Sequence, residues 1–191
     1  MTAFRCTAKL LKVMKAELPG ELLPASNRLG EWTANLVRVG RINLVLAVSE
    51  PTRFAVVIDA APYATVPERF VHALFNALLD LGIPTDRAAA EVTAMQPLTL
   101  AASNSKSVLG TLNQFAWEME CDLRDGCAHS ARELSHRLVQ TIVLKPSHIV
   151  YPADRVREMF GLPPIDHRDR LAMLARSQVE SFGMPATGSM N

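Results

Sequence analysis

Cysteine is scarce. Three in 191 residues are too few, and odd in number, for a disulfide framework. Cys6, Cys121 and Cys127 therefore point to a reducing, cytoplasmic setting. Aromatic residues make up only 6% of the chain, so no ladder of rings is on offer for stacking bases. No apolar run approaches the roughly 18 residues that a membrane span needs. The longest, Leu44–Val48, has the length of a strand. The opening MTAFRCTAKLL lacks the long apolar core and small-residue cleavage site of a secretory signal.

Catalytic signatures are missing as well. There is no glycine-rich phosphate loop, no G-x-S-x-G elbow, no H-E-x-x-H and no C-x-x-C. Those absences weigh against the commonest hydrolase, nucleotide and zinc classes. Cys121, Cys127, His129 and His136 lie close in sequence, but zinc ligands usually come in tighter pairs. No metal and no cofactor is expected.

What is present is a globular composition, 49% hydrophobic and 20% charged. The net charge of +1 creates no global field for nucleic acid. Charge is nevertheless uneven. Residues 1–57 carry eight Lys and Arg against four acids, while residues 58–128 carry four against nine.

The strand signals are clearest in ANLVRV, INLVLAVS and RFAVVID, separated by Gly40-Arg41 and Glu50-Pro51-Thr52. Such short connections imply an antiparallel meander. Apolar residues on both faces of INLVLAVS predict a central strand covered from both sides. FRC at 4–6 and QPLTLAAS at 96–103 read as further strands. Thr7 is a candidate N-cap for a first helix. Thr65 and Glu68 have the spacing of a capping box, with Pro67 in the first turn and Gly82 as the stop. Further helices are expected over TDRAAAEVTAM, SVLGTLNQFAWEME, residues 131–143, PADRVREMF and RLAMLARSQVESF. The fold class is α+β: a mostly antiparallel sheet of about five strands with a central meander, packed by several helices. Residues 1–161 form the expected domain, and 162–191 a C-terminal helical extension with a disordered tail.

Four motifs in order, RCTAKLL, NRLGEWTANLVRVGRINLVLAVSE, NSKSVLGTLNQFA and YPADRVREMF, resemble an uncharacterised bacterial family known only as a domain of unknown function. The resemblance spans about Phe4 to Gly161 and implies one domain there. It implies no activity, cofactor or catalytic residue. Similar sequences usually read LNxTPM between the last two motifs. Here the segment is LVQTIVL, with Gln140 in place of the Asn.

Candidate binding residues fall in three groups. The loop SNRLGEW crowds Asn27, Arg28, Glu31 and Trp32 around a glycine, and Arg and Trp are common at recognition sites. The meander adds Arg38 and Arg41 at one turn, Glu50 and Arg53 at the other. The helix of SVLGTLNQFAWEME has a core stripe and, nearly opposite, Gly110, Asn113 and Trp117; Asn104 and Ser107 lie at its start, Ser107 as candidate N-cap. Contacts on both sides of that helix are expected. These features favour a binding or interaction module, with protein or nucleic acid as partner and no membrane. The alternatives are an enzyme of unfamiliar type, such as an RNase-like toxin using Arg28, Glu31, Glu50, Arg53 and Asn113, or a structural homodimer.

Overall fold

A computed structural model of the chain describes residues 1–18 and 24–181. Pro19 and Gly20 of the first long loop, and the tail expected to be disordered from Gly183 onward, lie outside the described residues.

Five strands make one sheet: β1 (Thr2–Cys6), β2 (Trp32–Val39), β3 (Ile42–Ser49), β4 (Ala55–Asp59) and β5 (Leu98–Ala102), in the order β4-β3-β2-β1-β5. The meander β2-β3-β4 is antiparallel, with Asn35 opposite Leu46 and Ala47 opposite Val56. The sheet is mixed, however, because β1 lies parallel to both β2 and β5. The reason is the connection. The segment from β1 to β2 contains helix α1 (Ala8–Met14), and a crossover of a dozen or more residues permits parallel pairing where a tight turn does not. The class remains α+β, with most paired residues in the antiparallel meander.

Alternation along the strands buries two faces. Phe4, Trp32, Ala34, Val45, Ala47 and Val56 face one core, and Val37, Leu44, Leu46, Val48, Ala55 and Val57 face the other. The expectation of a strand covered on both sides is met in β3, where Leu44 through Ser49 are all buried. The first core is closed by α1, α2 (Val66–Asp80), α3 (Thr85–Met95) and α6 (Pro152–Met159). Helices α4 (Lys106–Arg124) and α5 (Ala131–Leu138) close the second. Trp32 sits at the centre of the first core, its ring 4.9 Å from Phe70 and 6.2 Å from Phe54 between centroids. The outer edge of β4 is covered by α5, whose Ser135 Oγ accepts from the Val57 N–H at 2.7 Å. Helix α7 (His167–Ser181) is tied to α5 and α6 through Arg170, which grips both oxygens of Asp154 at 2.7 Å, donates to Gln140 and stacks over Tyr151 at 3.8 Å.

Several local expectations need correction. Thr7 makes no side-chain cap; its hydroxyl donates to Asn35 Oδ1 at 2.8 Å instead. The Thr65–Glu68 box does not form, because a 3-10 turn over Tyr63–Thr65 precedes α2 and turns the Thr65 hydroxyl back to the Pro62 carbonyl. Ser105, not Ser107, caps α4. The helix starting at Ala131 ends at Leu138 rather than Val143. It tightens into a turn as the Gln140 and Thr141 N–H groups reach back only three residues, and the β-branched Thr141-Ile142-Val143 that follows favours extended backbone.

Candidate functional site

The loop before β2 is built around a buried carboxylate. Glu91 on α3 is 4% exposed and carries no cation partner among the described residues. Its Oε1 accepts from the Leu29 N–H at 2.8 Å and from Asn27 Nδ2 at 3.0 Å, and its Oε2 accepts from the Arg28 N–H at 3.1 Å. Asn27 also donates to the Gly30 carbonyl and accepts from Thr2. Gly30 completes the turn at φ +64°, with the Pro51 ring 3.0 Å from where a Cβ would stand, so a side chain would be both strained and obstructed. The loop therefore has one shape, and that shape aims Arg28 outward.

Arg28 does not pair with a carboxylate, contrary to the simplest structural expectation for an arginine in such a loop. Its Nη1 donates to the Met159 carbonyl at 2.9 Å, and its guanidinium lies 5.6 Å from the centroid of Phe160. Arg87 on α3 donates to the next carbonyl, that of Phe160, at 2.7 Å. The two cations are thus held side by side by the carbonyl end of α6, which is the negative end of the helix dipole. Neither has a carboxylate within 4 Å among the described residues. Both are exposed, and each guanidinium has five N–H donors, most of them unused here. They open onto a groove of about 660 Å³ between α3 and α6, whose lining also includes Asn27, Ala90, Gly161 and the carboxylates Glu91 and Glu158. That volume falls within the usual range for a ligand site.

The remaining candidate residues divide between this groove and other places. Trp32 is fully buried core and offers no recognition surface. Glu31, Glu50, Arg53 and Ser107 come together on the α4 side of the sheet. Glu31 pairs with Arg5 at 2.5 Å; the Glu50 N–H donates to the Glu31 carbonyl; Arg53 donates to the Glu50 carbonyl and, at 2.9 Å, to Ser107 Oγ. Arg53 is 5% exposed, at φ +58°. Burial pulls its guanidinium below the ordinary value, opposed by the charge of Glu50. These bonds fasten the β3–β4 turn to the first turn of α4. Asn104 is exposed beside them.

Arg38 and Arg41 are exposed at the β2–β3 turn, with Arg38 Nε donating to the Gly40 carbonyl. That turn lies at the opposite end of the meander from Glu50 and Arg53, an eight-residue strand away, about 25 Å. One small ligand cannot span both. The expected contact of the Gly110, Asn113 and Trp117 stripe with a second layer is also wrong. All three residues are exposed, Trp117 to 67%, and nothing lies within 4 Å of where a Gly110 Cβ would stand. Helix α5 packs beside α4 rather than over it. The groups offered for an enzyme are divided accordingly: Arg28 opens on the α3–α6 side, Glu31, Glu50 and Arg53 lie on the α4 side, and Asn113 faces solvent.

Arg87, Glu91 and Phe160 carry no sequence pattern that marks them as part of a site. The signal for Glu91 was slight, an acid inside a small-residue stretch of α3, and nothing local marks Arg87 as its groove-side neighbour. The Arg170 cluster is equally silent in the sequence, since Gln140 and Asp154 lie 30 and 16 positions from Arg170.

Among the described residues no helix is long and apolar enough to cross a membrane, and no three His, Cys, Asp or Glu converge to hold a metal ion. The fold and the groove define an α+β protein with a polar, arginine-lined surface cleft. The chain belongs to the family described as Domain of unknown function (DUF6933), whose model matches residues 3–155. No curated protein and no solved structure matches it.

Proposed function

We propose that the chain is a binding module whose groove between α3 and α6 takes an acidic segment of a partner protein. The observation that carries this is the pair Arg28 and Arg87, two exposed guanidiniums held side by side, neither within 4 Å of a carboxylate among the described residues. Adjacent like charges repel, and an incoming carboxylate relieves that repulsion while accepting paired N–H bonds in the fork geometry that arginine favours. Nucleic acid is less well supported. Two cations neutralise few phosphates, and the arginines of the β2–β3 turn are too distant to extend the track. Three unpaired cysteines suit a reducing, cytoplasmic setting for such a module.

The test is a titration followed by backbone amide chemical shifts. A blocked hexapeptide of glutamate should move the signals of residues 26–28, 87–94 and 158–161. Arg28→Ala and Arg87→Ala should each weaken binding about 10- to 100-fold, the loss of a charge-assisted hydrogen bond worth about 1.5–3 kcal/mol. Shifts centred instead on Arg38 and Arg41 with a single-stranded oligonucleotide would favour nucleic acid. No shift at the groove with the peptide would overturn the proposal.

A further inference from the structure

Four of the large apolar side chains that remain exposed gather on one face: Trp117 at 67%, Leu144 at 73%, Ile142 at 52% and Val150 at 53%. They are held firmly. Gln114 on α4 donates to the Ile142 carbonyl at 2.8 Å and accepts from the Leu144 N–H at 3.2 Å, and Thr111 donates to the Lys145 carbonyl at 3.3 Å. The Val143 N–H donates to the Val150 carbonyl. The loop after α5 is thereby fixed along α4, one turn from Trp117. Exposed apolar clusters of this kind mark interaction surfaces, and tryptophan is the residue most enriched at their energetic centres.

The face carries its own complement. At 100° per residue Lys106, Gly110, Asn113, Trp117 and Glu120 fall within an arc of about 80° on α4, and all five are exposed. Trp117 is a knob. Gly110, two turns earlier and about 10.5 Å along the axis, is a hole with open space above it. Glycine inside a helix is disfavoured relative to alanine, and here no contact within the chain requires it.

We propose that two copies of the chain associate about a two-fold axis, α4 packing antiparallel on α4, with Trp117 of each seated over Gly110 of the other. An axis between Asn113 and Gln114 superimposes knob on hole in both directions at once, as an isologous interface requires. The same axis sets Lys106 of one copy beside Glu120 of the other. These charges are opposite, and neither has a hydrogen-bond or ion-pair partner among the described residues. Asn113, beside the axis, has an amide that can both donate and accept, as a residue facing its own copy must. A different partner would require none of these coincidences along one stripe. The surface is independent of the α3–α6 groove, so either proposal can fail alone.

Sedimentation velocity of the full chain over a range of concentrations tests the dimer. Wild type should pass from monomer to dimer. Trp117→Ala and Gly110→Leu should each raise the dissociation constant more than about tenfold, the effect of losing a hot-spot contact. Gly110→Leu serves as its own folding control, since a Cβ at this exposed position meets nothing within 4 Å; its circular dichroism and melting should be undiminished. Lys106→Glu and Glu120→Lys should each weaken association, and the double exchange Lys106→Glu with Glu120→Lys should restore it. A wild-type chain that stays monomeric to its solubility limit would overturn the proposal. So would a dimer that survives Gly110→Leu, or a double exchange no better than its single variants.

Discussion

Removing the Glu91 carboxylate should destabilise the protein more than most single substitutions. Glu91 sits 4% exposed and satisfies three donors: the buried Leu29 N–H, the Arg28 N–H and Asn27 Nδ2. In Glu91→Ala all three lose their acceptor and a small cavity remains. A hydrogen bond to a charged group is worth about 1.5–3 kcal/mol, and a stranded buried donor costs about 1–3 kcal/mol. Water can reach the part-buried Arg28 N–H and Asn27 amide, so full cost applies mainly at Leu29. The sum is about 3–5 kcal/mol, a large share of the 5–15 kcal/mol typical of a domain. With a urea slope of about 2 kcal/mol per molar, the midpoint should fall by about 1.5–2.5 M at unchanged slope. Glu91→Gln should lie between. Its amide oxygen can replace Oε1, but its NH₂ then meets the Arg28 N–H, donor against donor. A loss below about 1 kcal/mol for Glu91→Ala, or a glutamine variant as damaged as the alanine, would refute the reasoning.

Three further outcomes are expected. At high dilution Gly110→Ala should stabilise the chain by about 0.5–1 kcal/mol, since its Cβ meets nothing and helix propensity alone acts; a lower melting temperature would contradict the open space above α4. Of the three free thiols, Cys6 is buried, and burial pushes its pKa up to about 12. At pH 8 a thiol reagent should modify Cys121 and Cys127 in the folded protein and reach Cys6 only on unfolding, because the thiolate is the reactive form; three thiols reacting at one rate would argue against the assigned core. Burial also raises the Glu118 pKa, helped by the charge of Asp122 and opposed by hydrogen bonds from Gln114 and Thr141. With the folded value raised, the native state holds this proton longer than the unfolded chain. Glu118 therefore costs nothing below the unfolded pKa, and its penalty grows as pH rises to the folded one. Glu118→Gln should gain on wild type in melting temperature across that window and hold the gain above it; a gain largest at low pH would reverse the sign.

The meander was legible because its signals are local. Gly40-Arg41 and Glu50-Pro51-Thr52 set the turns, and the unbroken apolar run Leu44–Val48 within INLVLAVS marked both faces as buried. The helix over Ser107–Glu120 was legible too, including its two stripes. What that second stripe faces was not. Whether α5 covers α4 or lies beside it depends on where Ser135 meets the β4 edge, a contact between residues 78 apart. The Asn27–Trp32 loop shows the same division. Its composition drew notice, yet Trp32 became core and Glu31 a partner of Arg5, while Arg28 opened onto a groove whose other cation, Arg87, is 59 positions away. Cap choices failed on a finer scale. Thr7, Thr65 and Ser107 all have cap chemistry, but Asn35, Pro62 and Arg53 offered their hydroxyls other partners.

By itself, then, the sequence determined the periodicities: which segments become strands or helices, which faces of β3 and α4 must be buried, and that α+β layers result. Those follow from side-chain spacing and turn chemistry within a dozen residues. The parallel setting of β1, the cradle that holds Asn27 and Arg28 on Glu91, and the exposure of Trp117 and Gly110 on α4 were decided only by tertiary structure. Each depends on which distant group arrives to accept a hydrogen bond or exclude water, and no local pattern encodes that arrival.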